Sequence, residues 1–209
     1  MLRTASLCAV LLWAAYACAG WLTHDYQVWT EEGARRLEVA LKPVPLPPVT
    51  VEGPGVPARD LRALAGNGRE VTIVDFFYTR CVTVCLSLGT TFQQMQAALQ
   101  RDAKDAHVRL LSISFDGERD TPGDLARYAQ RMQADPAWWR FVRVTDAAAT
   151  QRLLADLRVV VVPNGRGDFE HNAALLVLDA QGRLVRVFDL SEQQLALDYA
   201  RHLAEGGRL

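Results

Sequence analysis

The stretch VTIVDFFYTRCVTVC occupies residues 71–85. Its first eight residues, 71–78, are β-branched or aromatic except for Asp75, as a central strand covered on both faces must be. Beyond it the period changes: over 86–103, Leu88, Phe92, Met95 and Leu99 recur on one helical stripe. Cys81 and Cys85 therefore stand where a buried strand turns into a helix. Four residues apart in helical geometry, their thiols share one face, one turn apart. A helix N-terminus favours negative charge and lowers the pKa of a thiol placed there. Two thiolates on one face make a soft clamp suited to Cu(I), to zinc or to oxidation as a disulfide.

Outward from that stretch the alternation continues. Residues 108–116 read as a second buried strand. Thr121-Pro122-Gly123-Asp124 opens a helix, with a threonine cap, proline at the first helical position and an acid at the third, running to about 134. Residues 140–146 form a third strand, 147–157 a short helix and 158–163 an extended segment. Residues 173–179 and 184–190 flank Ala180-Gln181-Gly182-Arg183 and make a hairpin, and Ser191 is placed to cap a last helix over 192–204. Strands alternating with helices, closed by a hairpin and a helix, give an α/β fold with a central mixed sheet flanked by helices. The order is that of a thioredoxin-like fold with an insertion.

Upstream, six of the nine prolines fall within 43–58, which reads as an extended linker or as the entry segment of the domain. Residues 23–42 read as a juxtamembrane helix with Thr30 as N-cap. Ser6 to Leu22 carries no charge and follows a short basic start at Met1-Leu2-Arg3. It is slightly short of the roughly 20 residues of a spanning helix. It fits either a membrane anchor, with Trp13 and Trp21 as interface residues, or a signal segment with small-residue cleavage sites near Ala17 and Ala19. The expected division is 1–22 signal or anchor, 23–58 juxtamembrane helix and linker, and 59–209 the thioredoxin-like domain, exported. A net charge of −1 argues against a nucleic-acid partner. Cys8 and Cys18 lie in the apolar segment, so the exported domain holds one close cysteine pair; that suits chemistry better than a stapled scaffold.

Two thiolates rarely complete a metal site, which turns attention to the four histidines. His107 begins a strand, His202 sits on the last helix and His24 is juxtamembrane. His171 lies in a polar loop, 164–172, just before the strand 173–179; on chain position it faces the cysteine turn, though a loop histidine by itself reads as surface. Met95 and Met132 read as core, and of Trp138 and Trp139 one is expected to pack and the other to sit at the surface. Asp116, Glu118, Arg119 and Asp120 form an acidic turn suited to capping and loop structure.

Three blocks carry a resemblance: FFYTRCVTVC, SISFDGERDTPGDLARYA and DFEHNAALLVLDAQGRLVRVF. They are similar to the C-x-x-x-C turn, the D-x-E-R-D-T-P helix start and the strand-leading histidine of the Sco/SenC family, over roughly 45–205. The resemblance implies copper held by Cys81, Cys85 and His171, in the Cu(I) or Cu(II) state. It also implies a metallochaperone serving the copper-bearing subunit of cytochrome c oxidase or another copper client, in exchange with other copper chaperones or thiol reductants. Such a protein is anchored in the inner membrane with its domain in the periplasm. Val82 and Leu86 depart from the family's usual prolines, which puts affinity and client in question. Val74-Asp75-Phe76-Phe77 also resembles the V-D-F-W stretch of thioredoxins, whose buried acid assists proton transfer. Asp75 is therefore a candidate proton relay, and Cys81 with Cys85 a candidate redox pair of an exported thiol–disulfide oxidoreductase. Thioredoxins carry a cis-proline where Ala174 stands, which leaves room for His171 and a metal. A peroxiredoxin-like reading is set aside, because Thr79 stands two residues before Cys81 where that family has three.

Overall fold

A computed structural model describes residues 2–23, 25–26, 28–81, 84–101, 107–165 and 168–207, except the side chains of residues 2 and 84–86. The chain divides into two compact units, Met1–Glu38 and Val39–Leu209.

The first unit opens with helix α1 (Leu2–Leu22), long and apolar enough over Arg3–Leu22 to cross a membrane. Its large apolar side chains, Leu12, Trp13 and Trp21 among them, are exposed. The helix read over 23–42 starts later than expected. Asp25 and Tyr26 adopt left-handed backbone, with φ of 58° and 65°, which interrupts helical geometry. Helix α2 (Glu31–Leu41) then begins after Thr30, whose hydroxyl accepts the Gly33 N–H at 3.0 Å as the expected N-cap.

In the second unit the stretch VTIVDFF forms β4 (Val71–Phe77), every residue of which is buried. It lies parallel to β5 (Val108–Ser114), with Val71 opposite Val108 and Asp75 opposite Ser112. Next comes β6 (Trp139–Val144), parallel to β5. On the other side β4 pairs antiparallel with β9 (Leu175–Leu178), which makes the expected hairpin with β10 (Arg183–Phe188). The hairpin turn is organised by Asp179, whose carboxylate accepts the N–H groups of Gln181 and Arg183 at 3.0 and 2.9 Å. The sheet is therefore mixed, with β4 and β5 as interior neighbours.

Helix α4 (Val84–Arg101) buries Leu88, Phe92, Met95 and Leu99, the stripe read from sequence. Phe92 stacks 5.4 Å from Trp139, and truncating so buried a ring costs about 3–5 kcal/mol. Helix α5 (Pro122–Arg131) starts with the expected capping box between Thr121 and Asp124. Helix α6 (Ala147–Asp156) is capped by Asp146.

The proline-rich stretch 43–58 is extended, as read, but it is no free linker. It supplies β1 (Val44–Pro45), β2 (Thr50–Gly53) and most of β3 (Val56–Asp60), followed by α3 (Leu61–Ala65). Among the described residues one sheet of eight strands runs β1-β10-β9-β4-β5-β6-β2-β3. Pro45 and Pro57 lie on its two edge strands, where a missing N–H costs no ladder bond, and β2, inside the sheet, has no proline. The final helix, α7 (Gln193–Ala204), follows a 3-10 turn at Leu190–Glu192. Ser191 is not its cap: Asp189 opens the turn, its N–H donating to the Glu192 carboxylate at 2.8 Å.

Candidate metal centre

Cys81 sits, as read, between the end of β4 and the start of α4. The turn is short: the Cys81 N–H donates to the Tyr78 carbonyl at 3.3 Å, which folds Cys81 back over the strand end and buries it. Thr79 holds the turn in place. Its N–H and hydroxyl both donate to the Asp120 carboxylate, at 2.9 and 2.5 Å. Asp120 is wholly buried and also accepts the Ser114 hydroxyl at 2.6 Å. The acidic turn thus has the structural task assigned to it from sequence. Gly117 belongs there because a Cβ would come 2.1 Å from the Val144 carbonyl oxygen. Cys85 lies in the first turn of α4; its side chain, and with it the pairing expected with Cys81, lies outside the described residues.

His171 is not in a loop. It ends a short strand, β8 (Phe169–His171), paired antiparallel with β7 (Val161–Pro163) so that His171 stands opposite Val161. Asn164 closes this second hairpin: its N–H donates to the Asp168 carbonyl at 2.9 Å. The hairpin packs on the ends of β4 and β5 through an aromatic cluster. Phe115 lies 5.4 Å from Tyr78, 5.4 Å from Phe169 and 5.3 Å from the His171 ring. Tyr78 and Phe169 meet edge to face at 5.3 Å. Arg119, paired with Asp116 at 2.6 Å, lies over the ring of Phe169 at 5.1 Å. All three blocks of the resemblance therefore meet at one end of the sheet. Among the described residues, two of the three expected ligands, Cys81 and His171, border this cluster, and no group of three His, Cys, Asp or Glu side chains gathers there.

Tyr78 was not singled out from sequence. Its hydroxyl accepts the Phe169 N–H at 3.3 Å and reaches the Asp168 carboxylate at 3.5 Å. Burial raises its pKa to about 12; the Phe169 N–H pulls the other way, and the Cys81 thiol, to which it is hydrogen-bonded, and Asp168 push it further up. The phenol therefore stays protonated and able to donate. The one available signal was a hydroxyl on the last residue of a buried run. His171 is half-buried, and desolvation lowers its pKa against an opposing hydrogen bond at the Asn172 backbone, so its imidazole stays neutral with a lone pair to offer a metal.

Asp75 is buried in mid-strand. Burial raises its pKa to about 7, opposed by hydrogen bonds from Ser112 and from its own backbone. One carboxylate oxygen, Oδ1, has no hydrogen-bond partner among the described residues. Ser112 Oγ accepts the Trp139 indole N–H at 2.8 Å, so Asp75 ends a short polar chain inside the sheet. Elsewhere, His107 and His202 are exposed and His24 lies outside the described residues. Met95 is core, Met132 packs against the core at the end of α5, Trp139 is buried and Trp138 partly so.

The SCO1/SenC family pattern matches residues 62–204. A SCO1 protein homolog of Bacillus subtilis is 24% identical over 122 residues, which are 57% of this chain and 62% of that relative, so the match spans under two thirds of its length. Among solved structures, Bradyrhizobium japonicum ScoI with copper bound aligns at a TM-score of 0.61 and 25% identity, covering 76% of this chain and 99% of that one. BsSco, described as a member of the Sco family of cytochrome c oxidase assembly proteins with a disulfide switch, aligns at a TM-score of 0.66 and 20% identity. That alignment covers 78% of this chain and 95% of BsSco. The mixed sheet and its helices are the thioredoxin-like arrangement read from the sequence.

Proposed function

The chain belongs to the SCO1/SenC family, and from that premise we propose that it is a metallochaperone whose cargo is copper, held by Cys81, Cys85 and His171. The observation that carries the reading is the position of Phe115. Its ring touches both Tyr78, three residues before Cys81, and His171. The donor set fits the cargo: two thiolates select soft Cu(I), and a neutral imidazole makes the set adaptable to Cu(II). Delivery is by ligand exchange, a client's donors replacing the chain's one at a time. The client is the copper-bearing subunit of cytochrome c oxidase or a similar copper site. Helix α1 supports a membrane anchor or export signal ahead of a copper-binding domain on the periplasmic side. The test is copper stoichiometry on the purified protein. One copper per chain is expected, with Cu(II) bound much more weakly in His171→Ala and both states lost when Cys81 and Cys85 are replaced by serine. Full Cu(II) loading without His171 would remove the histidine from the site.

Asp75 favours a second activity on the same cysteines. A buried acid with a pKa near neutrality suits proton exchange with a thiol. Cys81 thiolate would attack a client disulfide and release one client thiolate. Cys85 would then attack the mixed disulfide, release the second client thiol and leave the chain oxidised by two electrons. Mass spectrometry after mild oxidation should show a loss of two hydrogens at Cys81 and Cys85; thiols that both stay alkylatable would end this reading.

A further inference from the structure

We propose that Tyr78 is a positioning residue that fastens the His171 hairpin to the strand end carrying Cys81, so that the phenol sets how firmly the imidazole is presented to the metal. The inference deepens the copper reading above and rests on it for its metal consequences, but not for its structural ones. Tyr78 is buried, and its ring touches Phe115 and Phe169 on the two neighbouring elements. Its hydroxyl has one proton to give and two lone pairs. One lone pair takes the Phe169 N–H at 3.3 Å, two residues before His171 on the same short strand. The proton points to the Asp168 carboxylate at 3.5 Å, and the Cys81 thiol is close enough to help hold the phenol in its protonated form. A strand of three residues that, among the described residues, pairs with one neighbour has little rigidity of its own. A buried hydroxyl tied to its first residue therefore supplies part of the order that a coordinating imidazole needs.

Tyr78→Phe removes the oxygen and keeps the ring, so the aromatic packing survives. The first measurement uses the full-length protein without metal and follows amide hydrogen exchange over residues 159–172. The Phe169–His171 amides should exchange roughly fivefold faster in the variant, as the loss of one hydrogen bond implies, while β4 and β5 keep their protection. Unchanged exchange at Phe169–His171, or a uniform rise across the sheet, would overturn the proposal whatever copper does. The second measurement compares Cu(II) affinity in wild type, Tyr78→Phe, His171→Ala and the double variant. Tyr78→Phe should weaken Cu(II) binding by roughly fivefold with His171 present and have no further effect once it is gone. An equal loss in both backgrounds would place the hydroxyl's action on the sulfur and overturn the proposal. A wild-type protein that takes up no copper would refute the chaperone reading, and the exchange measurement would still decide the role of Tyr78.

Discussion

Thr79 hands both its backbone N–H and its hydroxyl to the carboxylate of Asp120, at 2.9 and 2.5 Å, across 41 residues of chain. The turn that carries Cys81 is thereby pinned to the loop after β5. Family membership comes from the match over residues 62–204; the pinning shows what one of the matched residues does in this chain.

Asp120→Ala should leave the Thr79 N–H and the Ser114 hydroxyl without their buried acceptor. Each such orphan costs about 1–3 kcal/mol. Urea unfolding should show a loss of about 3 kcal/mol with an unchanged slope. A loss within 0.5 kcal/mol, the range of an ordinary surface substitution, would mean that the turn holds itself in place.

Asp75 should make stability depend on pH in a recognisable direction. Its folded pKa, about 7, is raised from 3.8, so between those values the folded protein keeps a proton that the unfolded chain has lost. Stability should fall as pH rises through that window, by up to about 1.4 kcal/mol per unit, and level off above pH 7. Asp75→Asn should flatten this slope. It should also slow thiol exchange with a model disulfide and leave copper affinity nearly unchanged. Equal loss of both functions would make Asp75 a structural residue.

Much of this was legible in advance, for local reasons. The run 71–78 could only be a buried strand, and the change of period after it placed Cys81 at a strand-to-helix turn. Thr121-Pro122-Gly123-Asp124 announced its helix through residues that cap one another. Three features were not legible, because they depend on what lies opposite. Prolines 45 and 57 signal a linker until the sheet shows them on edge strands. Phe169-Glu170-His171 has too little β character to read as a strand; pairing with Val161–Pro163 makes it one. Tyr78 looked like the last apolar residue of its strand, and only the folded hairpin gives its hydroxyl a partner.

His171 should bind metal at lower pH than an ordinary histidine. Desolvation depresses its pKa, so protons compete for the ring only below the usual value of about 6.5. In Cu(II) titrations across pH, the His171-dependent part of binding should survive to below pH ~6.5 and then collapse. The same depression means that the ring's contribution to folding stability is present above that value and is lost as pH falls through the window beneath it. A binding midpoint at or above the ordinary histidine pKa would show a solvated ring.

The central claim is that two thiolates and one imidazole hold the metal. X-ray absorption on the copper-loaded, full-length protein reads the donor atoms directly. Two sulfur scatterers with the outer-shell pattern of one imidazole are expected in the Cu(II) form, that pattern vanishing in His171→Ala and persisting in His107→Ala and His202→Ala. A copper shell without imidazole in the wild-type protein, or one whose imidazole survives His171→Ala, would contradict the account.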